Sequence, residues 1–315
     1  MHIKYALRQF WKSPGFTSAA VLTLALGIGG TTAIFTLIDA VMLRSLPVTD
    51  PAALYRIGEG DNCCVQGGPQ GQWGMFPFSL VGRFMAQAPE FEEIAAFQAG
   101  LGRVSVRRHG TEAAQPLRSE YVSGNYFSTF GVGALGGRVF TPKDDTAGAP
   151  SVAVLSHHAW ETVYGADPSV VGATFSLDGH AFSIIGVAPA GFFGETLRSD
   201  PPDLWIPLHQ EPLLDGKDNN LMRRPFAAWL RMIGRRRPGA SVAGVAPRLT
   251  GILRQWMQYD AGYPANWMPN IVKGIQKESI RVIPAGAGVE EMKESYGTSL
   301  RILLSVCGMV LLIAC

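Results

Sequence analysis

The sequence predicts an α+β extracytoplasmic domain of two subdomains, set behind an N-terminal transmembrane helix. Three observations predict it. An uncharged apolar run lies near the N-terminus, a 253-residue central block alternates strand, helix and turn signals, and the charge divides between the two. The chain has 315 residues, is 47% apolar and only 17% charged, and has four cysteines. That composition is too apolar for a disordered chain, too poor in cysteine for a disulfide scaffold, and below the roughly 25% charge of an ordinary soluble domain. On length alone, about two domains are expected.

Phe16 to Ile38 is 23 residues without a formal charge. As a helix it is about 35 Å long, enough for a hydrocarbon core of roughly 30 Å. A signal peptide or a buried core helix would also be apolar. A signal core, however, runs about 7–15 residues to a cleavage site, and here the run continues to Met42-Leu43. We therefore read residues 16–44 as a transmembrane helix. Lys4, Arg8 and Lys12 precede it, against Arg44 and Arg56 after it. The positive-inside bias puts the N-terminus in the cytoplasm and residues 45–297 outside. In residues 1–15, Ile3, Ala6, Leu7, Phe10 and Trp11 interleave with basic residues, which predicts an amphipathic segment on the cytoplasmic leaflet. A basic flank with some apolar residues is the plainer alternative.

Inside the span, Ala19, Thr23, Gly27 and Thr31 recur every four residues, as do Ala25, Gly29 and Ala33. Small residues at that spacing let a second helix approach closely, so these seven are the candidate helix-packing positions. Small residues are common in membrane helices anyway. A second apolar run, 298–315, starts at Arg301 and gives fourteen uncharged residues, too few to span. A core helix, a lipid-tail anchor and a membrane helix cut short by the end of the sequence compete; the lack of a polar face favours the last.

The central block carries 22 Lys+Arg against 24 Asp+Glu, so the net charge of +2 belongs to the flanks. Such a block has no electrostatic footprint for nucleic acid. Strands are expected at Ala53–Gly58, Arg103–Arg108, Leu117–Val122 and Ser279–Ile283. Phe78–Phe97 reads as helix with a break at Pro89. Thr174–Leu177 and Ala181–Val187 flank Asp178-Gly179, a dipeptide suited to a type I′ hairpin turn. Val242, Val245, Leu249, Ile252, Leu253 and Trp256 repeat at helical spacing after the N-cap candidate Ser241. Strand and helix layers at both ends, with a hairpin-rich insert at about 125–215 between them, give the two subdomains.

No catalytic constellation emerges. There is no G-x-x-x-x-G-K-[ST] loop for ATP, no H-E-x-x-H, no C-x-x-C and no G-x-S-x-G elbow. Gly27-x-Gly29 does not complete a dinucleotide fingerprint. His157-His158 are adjacent, so their side chains diverge and do not readily share one metal. We expect no metal and no cofactor. Cys63-Cys64 sit in a loop rich in Gly, Asn and Gln, and free thiols or intermolecular pairing remain open for them. Arg235-Arg236-Arg237 reads as a solvated strand end, with a lipid or partner contact as the functional alternative. Asp144-Asp145 reads as a turn or helix start, and Tyr126-Phe127 and Phe192-Phe193 as core or interface.

Long ordered stretches carry a resemblance: LRQFWKSPGFTSAAVLTLALGIGGTTAIF, LIDAVMLRSLPVTDPAALYRI, SGNYFSTFGV, GRVFTPKDD, VAVLSHHAWETVYGADPSVVGATFSLDGHAFSIIGVAPAGFFG, DLWIPL, RRRPGASVAGVAPRLTGIL and LLSVCGMVLLIAC. The chain resembles the N-terminal portion of ABC-transporter permeases of the FtsX/MacB type, with a MacB-like periplasmic core, closest to the acidobacterial duplicated orphan permeases. The resemblance implies porter-like βαβ layers, a second transmembrane helix opening an FtsX-like permease region, and a place in a bacterial inner membrane. It implies a non-enzymatic permease subunit. A separate cytoplasmic ABC ATPase would drive it, and its outer domain would carry the motion to efflux or envelope-lipoprotein handling. Membrane lipid and a homodimer or second permease half are the other partners it implies. A membrane-anchored binding or sensory domain is the alternative, and an anchored hydrolase the weakest reading.

Overall fold

The computed structural model describes residues 14–39, 45–59, 74–108, 113–216, 220–289 and 291–314. The amphipathic segment ahead of residue 14, Arg44, and Cys63-Cys64 lie outside the described residues. The chain divides into two compact units. One takes Ser45 and what precedes it, Thr196–Arg198, and Val289 onward; the other takes Leu46–Glu195 and Ser199–Gly288.

In the first unit, helix α1 runs Pro14–Ile38. Proline opens it where a missing N–H costs nothing. Its stretch Thr17–Ile38 is 22 residues long with mean hydropathy 2.0, long and apolar enough to cross a membrane. It packs along a long C-terminal helix, Glu291–Ala314. Thr196 and Val289 make an isolated parallel bridge in the same unit.

The second unit is built on β1 (Leu54–Glu59), α2 (Phe78–Ala86) and β2 (Phe91–Gln98). Between β2 and the next strand of that layer comes a long insertion. It holds β3 (Gly102–Arg108), β4 (Gln115–Val122), α3 (Tyr126–Phe130), the short β5 (Gly136–Gly137) and β6 (Val152–Leu155). It continues through α4 (His157–Thr162), β7 (Thr174–Leu177), β8 (His180–Val187), β9 (Leu204–Pro207) and α5 (Glu211–Leu214). The layer resumes with β10 (Leu230–Arg236), α6 (Val245–Tyr259), α7 (Met268–Gly274) and β11 (Ile280–Pro284). The C-terminal helix of the first unit is α8.

The layer has strand order β11-β1-β10-β2, antiparallel throughout. With α2 and α6 as its crossovers this is a βαββαβ, ferredoxin-like layer. Its helices bury Leu80, Val81 and Phe84 from α2, and Val245, Leu249, Leu253 and Trp256 from α6. The insertion closes on itself. β4, β3, β7, β8, β6 and β9 pair in sequence and β9 returns, parallel, to β4. Closure removes the free strand edges. A single pair, Phe97–Val122, joins the ring to the layer.

The hairpin expected at 174–187 forms in the expected register, Leu177 opposite His180, with Asp178 at φ 45° and Gly179 at φ 89°. Both central residues sit at positive φ, as a type I′ turn needs. The helix beginning at Phe78 ends at Ala86, and Phe91–Gln98 is strand, not helix. The reason lies in the β2–β10 register, where Glu93 faces Arg235 but Phe91 faces Arg236. One extra residue, Glu92, makes a β-bulge. The bulge puts Phe91, Ile94 and Ala96 into one core cluster, and their spacing then imitates a helical repeat. Helix α6 begins at Val245 with Gly244 as its cap, and Ser241 lies ahead of it.

Candidate functional site

The seven small residues of α1 divide in two. Gly27 is buried and Thr31 half-buried; Ala19, Thr23, Ala25, Gly29 and Ala33 are exposed. A Cβ on Gly27 would lie 2.9 Å from Leu311 Cδ2, and one on Gly30 3.7 Å from Cys307 Sγ, while one on Gly29 would meet nothing. Gly27 and Gly30 are therefore where α8 rides against the backbone of α1. Gly30 was not among the candidates, because it falls between the two four-residue series. Thr23, Thr31, Thr32 and Thr36 each donate their hydroxyl to the carbonyl four residues earlier, at 2.8–2.9 Å. Their polar groups are satisfied within the helix, as an apolar medium demands.

In the second unit a cleft of about 600 Å³ opens between the layer and the ring. Phe78, Val81 and Met85 of α2 and Phe91, Ile94 and Ala96 of β2 line one side; Ser123, Gly124, Asn125, Pro142, Asp145, Leu208 and His209 line the other. Asp145 organises the far wall. Its carboxylate accepts the Gly124 N–H at 3.0 Å and the His209 N–H at 2.8 Å. It also lies 2.9 Å from His209 Nδ1. The His209 ring stands edge-on to Phe78, centroids 5.5 Å apart. A Cβ on Gly124 would sit 2.6 Å from the Thr141 carbonyl oxygen, so only glycine lets the wall close there. On the near wall, Glu93 accepts the hydroxyls of Ser128 at 2.6 Å and Thr129 at 3.2 Å. Glu92, displaced by the bulge, is exposed. The lining holds the carboxylates Glu92, Glu93 and Asp145 and neither lysine nor arginine. These residues come from separated segments, and no spacing in the sequence announces them.

The motifs singled out from sequence have structural work. Arg235 donates to the carbonyls of Thr129, Thr49 and Asp50, and Arg237 to that of Pro89. This basic run ties β10 to neighbouring loops instead of standing free in solvent. Arg138 grips Asp144 with two bonds of 2.7 Å, while Thr141 and Asp144 form a capping box. The Arg138 guanidinium, with the Thr141 groups, lowers the Asp144 pKa to about 2. Tyr126, Phe127, Phe130 and Phe192 stack with Trp205 in a buried aromatic cluster. Ser156 caps α4 by accepting the Ala159 N–H, and His157 Nδ1 lies 3.3 Å from Glu161. His157 and His158 border a second cavity of about 240 Å³. Among the described residues no three His, Cys, Asp or Glu side chains converge as a metal site. Under the ring, burial raises the pKa of Glu211 and of Asp215, which accepts the Tyr121 hydroxyl at 3.3 Å.

The sequence profile of the MacB-like periplasmic core domain matches residues 17–252. The chain belongs to that family. Among solved structures, the periplasmic region of MacB from Actinobacillus actinomycetemcomitans aligns at 12% identity and TM-score 0.50, over 84% of this chain and 98% of that one. A domain of a permease protein from Porphyromonas gingivalis aligns at 12% identity and TM-score 0.50, over 77% and 94%. The extracellular domain of the noncanonic ABC-type transporter YknZ from Gram-positive bacteria gives 12% and 0.46, over 64% and 93%. No curated protein matches the chain. The first two likenesses show a common fold. A periplasmic-domain family together with the apolar α1 fits a membrane-anchored chain with an extracytoplasmic domain.

Proposed function

We propose that this chain is a non-enzymatic permease subunit of an ABC-type transporter in a bacterial inner membrane. The family match that runs from α1 into α6 carries the reading, because it ties the apolar helix and the outer fold into one unit of inheritance. On this reading the N-terminus is cytoplasmic and residues 45–297 form the outer domain. A separate cytoplasmic ATPase moves α1 and α8, and the outer domain passes that motion on for efflux or envelope-lipoprotein handling. Membership of a family of ABC-transporter components supports an ATPase partner. The exposed faces of α1 and α8, with Leu26, Phe35, Ile302 and Leu312 outward, support contact with lipid, a second copy or a further permease half.

The test is purification of the tagged full chain from its native membranes, with a topology reporter fused at residue 150. We expect an ATP-hydrolysing subunit to accompany the chain, and alkaline phosphatase at that position to be active. A chain that purifies without an ATPase, yet binds a ligand through its outer domain, would be a sensory ectodomain instead. A phosphatase that stays inactive at residue 150 overturns both readings, because its disulfides form only in the oxidising outer compartment.

A further inference from the structure

We propose that the cleft between α2, β2 and the ring binds an amphiphilic organic amine, its ammonium held at Glu92 and Glu93 and its hydrocarbon body against the apolar wall. The proposal holds for an ATPase-driven permease and for a sensory ectodomain alike, so it fails or stands apart from that choice.

The first observation is space that the chain keeps open. The cleft of about 600 Å³ falls within the roughly 300–1,000 Å³ of small-molecule sites. Gly82 of α2 lines it, and a Cβ there would meet nothing within 4 Å. Glycine inside a helix costs roughly 0.5–1 kcal/mol relative to alanine. At Gly124, across the cleft, crowding explains the glycine; at Gly82 no described neighbour does. Its effect is to leave room beside Val81 and Met85.

The second observation is the chemistry of the lining. Phe78, Val81, Met85, Phe91 and Leu208 give it apolar surface, and Glu92, Glu93 and Asp145 line it without a lysine or arginine. Asp145 is committed to His209 and to the Gly124 N–H. Glu92 is exposed and has no ion-pair partner among the described residues. Glu93 accepts the Ser128 and Thr129 hydroxyls on one oxygen, Oε2, which leaves Oε1 for another donor. The neighbouring arginines are engaged: Arg235, opposite Glu93, donates to carbonyls, and Arg248 pairs with Glu90. An ionised carboxylate only accepts, so the partner these two glutamates fit is a donor, and by charge a cation.

Other occupants use less of the site. The β2 edge is capped, with the Ala96 N–H and C=O bonded to Ser123 and the Ile94 carbonyl to Asn125, so it selects no peptide strand. No three His, Cys, Asp or Glu side chains among the described residues converge on a metal. A neutral hydrophobe would strip water from the glutamates without replacing it, which is costly. An amine with a hydrocarbon body answers both the charge and the apolar wall.

The full chain, in nanodiscs of zwitterionic lipid, is dialysed to equilibrium at neutral pH against 4-phenylbutylamine, 4-phenylbutanol and 4-phenylbutyrate. The three share one hydrocarbon body and differ in the charge of the head; empty nanodiscs correct for uptake by lipid. We expect the amine to bind about tenfold more tightly than the alcohol, equivalent to about 1.4 kcal/mol, and the acid not to be retained. Glu92→Gln with Glu93→Gln should bring the amine down to the alcohol and leave the alcohol unchanged. Gly82→Phe should fill the cleft and abolish binding of both, with circular dichroism checking that each variant keeps the fold. Retention of no probe overturns the proposal. Equal retention of amine and alcohol overturns it in favour of a neutral hydrophobe. An amine preference that survives the paired glutamine variant, or binding that survives Gly82→Phe, places the amine elsewhere and overturns it too.

Discussion

The helix pair and the β-rich unit treat apolar side chains in opposite ways. On α1 and α8, Leu26 is 74% exposed and Leu312 78%, whereas Leu54, Ile57, Trp205 and Trp256 of the β-rich unit are fully buried. Under the proposed membrane placement, the difference follows from the solvent each is made for. In water, burying apolar surface is worth roughly 25 cal/mol per Å², so the β-rich unit hides it in its interior. In lipid that drive vanishes, and close backbone approach at small residues holds helices together. Gly27 against Leu311 is such a contact.

Trp205→Ala should test this contrast most severely. Trp205 is wholly buried between Phe127 and Phe192, and its Nε1 donates to Glu120 at 3.0 Å. Truncation should cost about 3–5 kcal/mol. Denaturant unfolding followed by near-ultraviolet circular dichroism measures it. The helix pair should be untouched: with Gly30→Cys as background, oxidation should still link position 30 to Cys307. If that link disappears with Trp205, the two regions are not governed separately.

A smaller effect is expected on the other side of the contrast. Gly27→Leu drives a side chain into Leu311 and should cost about 1–3 kcal/mol by overpacking. It should also abolish the link between position 30 and Cys307. Gly29→Leu, where a Cβ meets nothing, should leave the link intact. Equal behaviour of the two variants would show that packing here is not set by backbone approach.

Two carboxylates sharpen the picture within the β-rich unit, with opposite signs. Asp144 has a folded pKa of about 2, against an ordinary value of 3.8. Its stabilisation is complete above the ordinary value and lost as pH falls toward about 2. Asp144→Asn should cost about 1 kcal/mol at neutral pH, since the half-exposed Arg138 is partly screened by water. The cost should vanish in acid. Glu211 is raised by burial, so its ionisation opposes folding. Glu211→Gln keeps an acceptor for the Leu221 N–H, at 2.7 Å in the native chain. It should raise the melting temperature slightly above pH 7 and converge with the native chain as pH falls. A melting series across pH measures both, and parallel curves for the two variants would contradict the assignment.

Sequence reasoning reached local features well. The apolar run of α1, the Asp178-Gly179 turn and the repeat in α6 depend on neighbours a few residues apart, and such short-range signals survive in a linear chain. It misread Phe91–Gln98, because the bulge at Glu92 shifts the strand's phase and a bulge exists only against a partner strand. It did not reach the cleft, whose Asp145, His209, Asn125 and Glu92 meet only after the ring has closed. The small-residue series includes Gly27 and leaves out Gly30, since which face of α1 is covered depends on how α8 lies across it.

The amino-acid order alone determined that one apolar helix precedes a near-neutral α+β block, because hydropathy and turn chemistry act over a few residues. Only the tertiary structure decided that the block is a ferredoxin-like layer interrupted by a closed ring, and that a cleft lined by Glu92, Asp145 and His209 lies between them. Strand pairing joins residues as distant as Glu59 and Ile280, and such partners are selected by collective burial and hydrogen bonding, which no local pattern encodes.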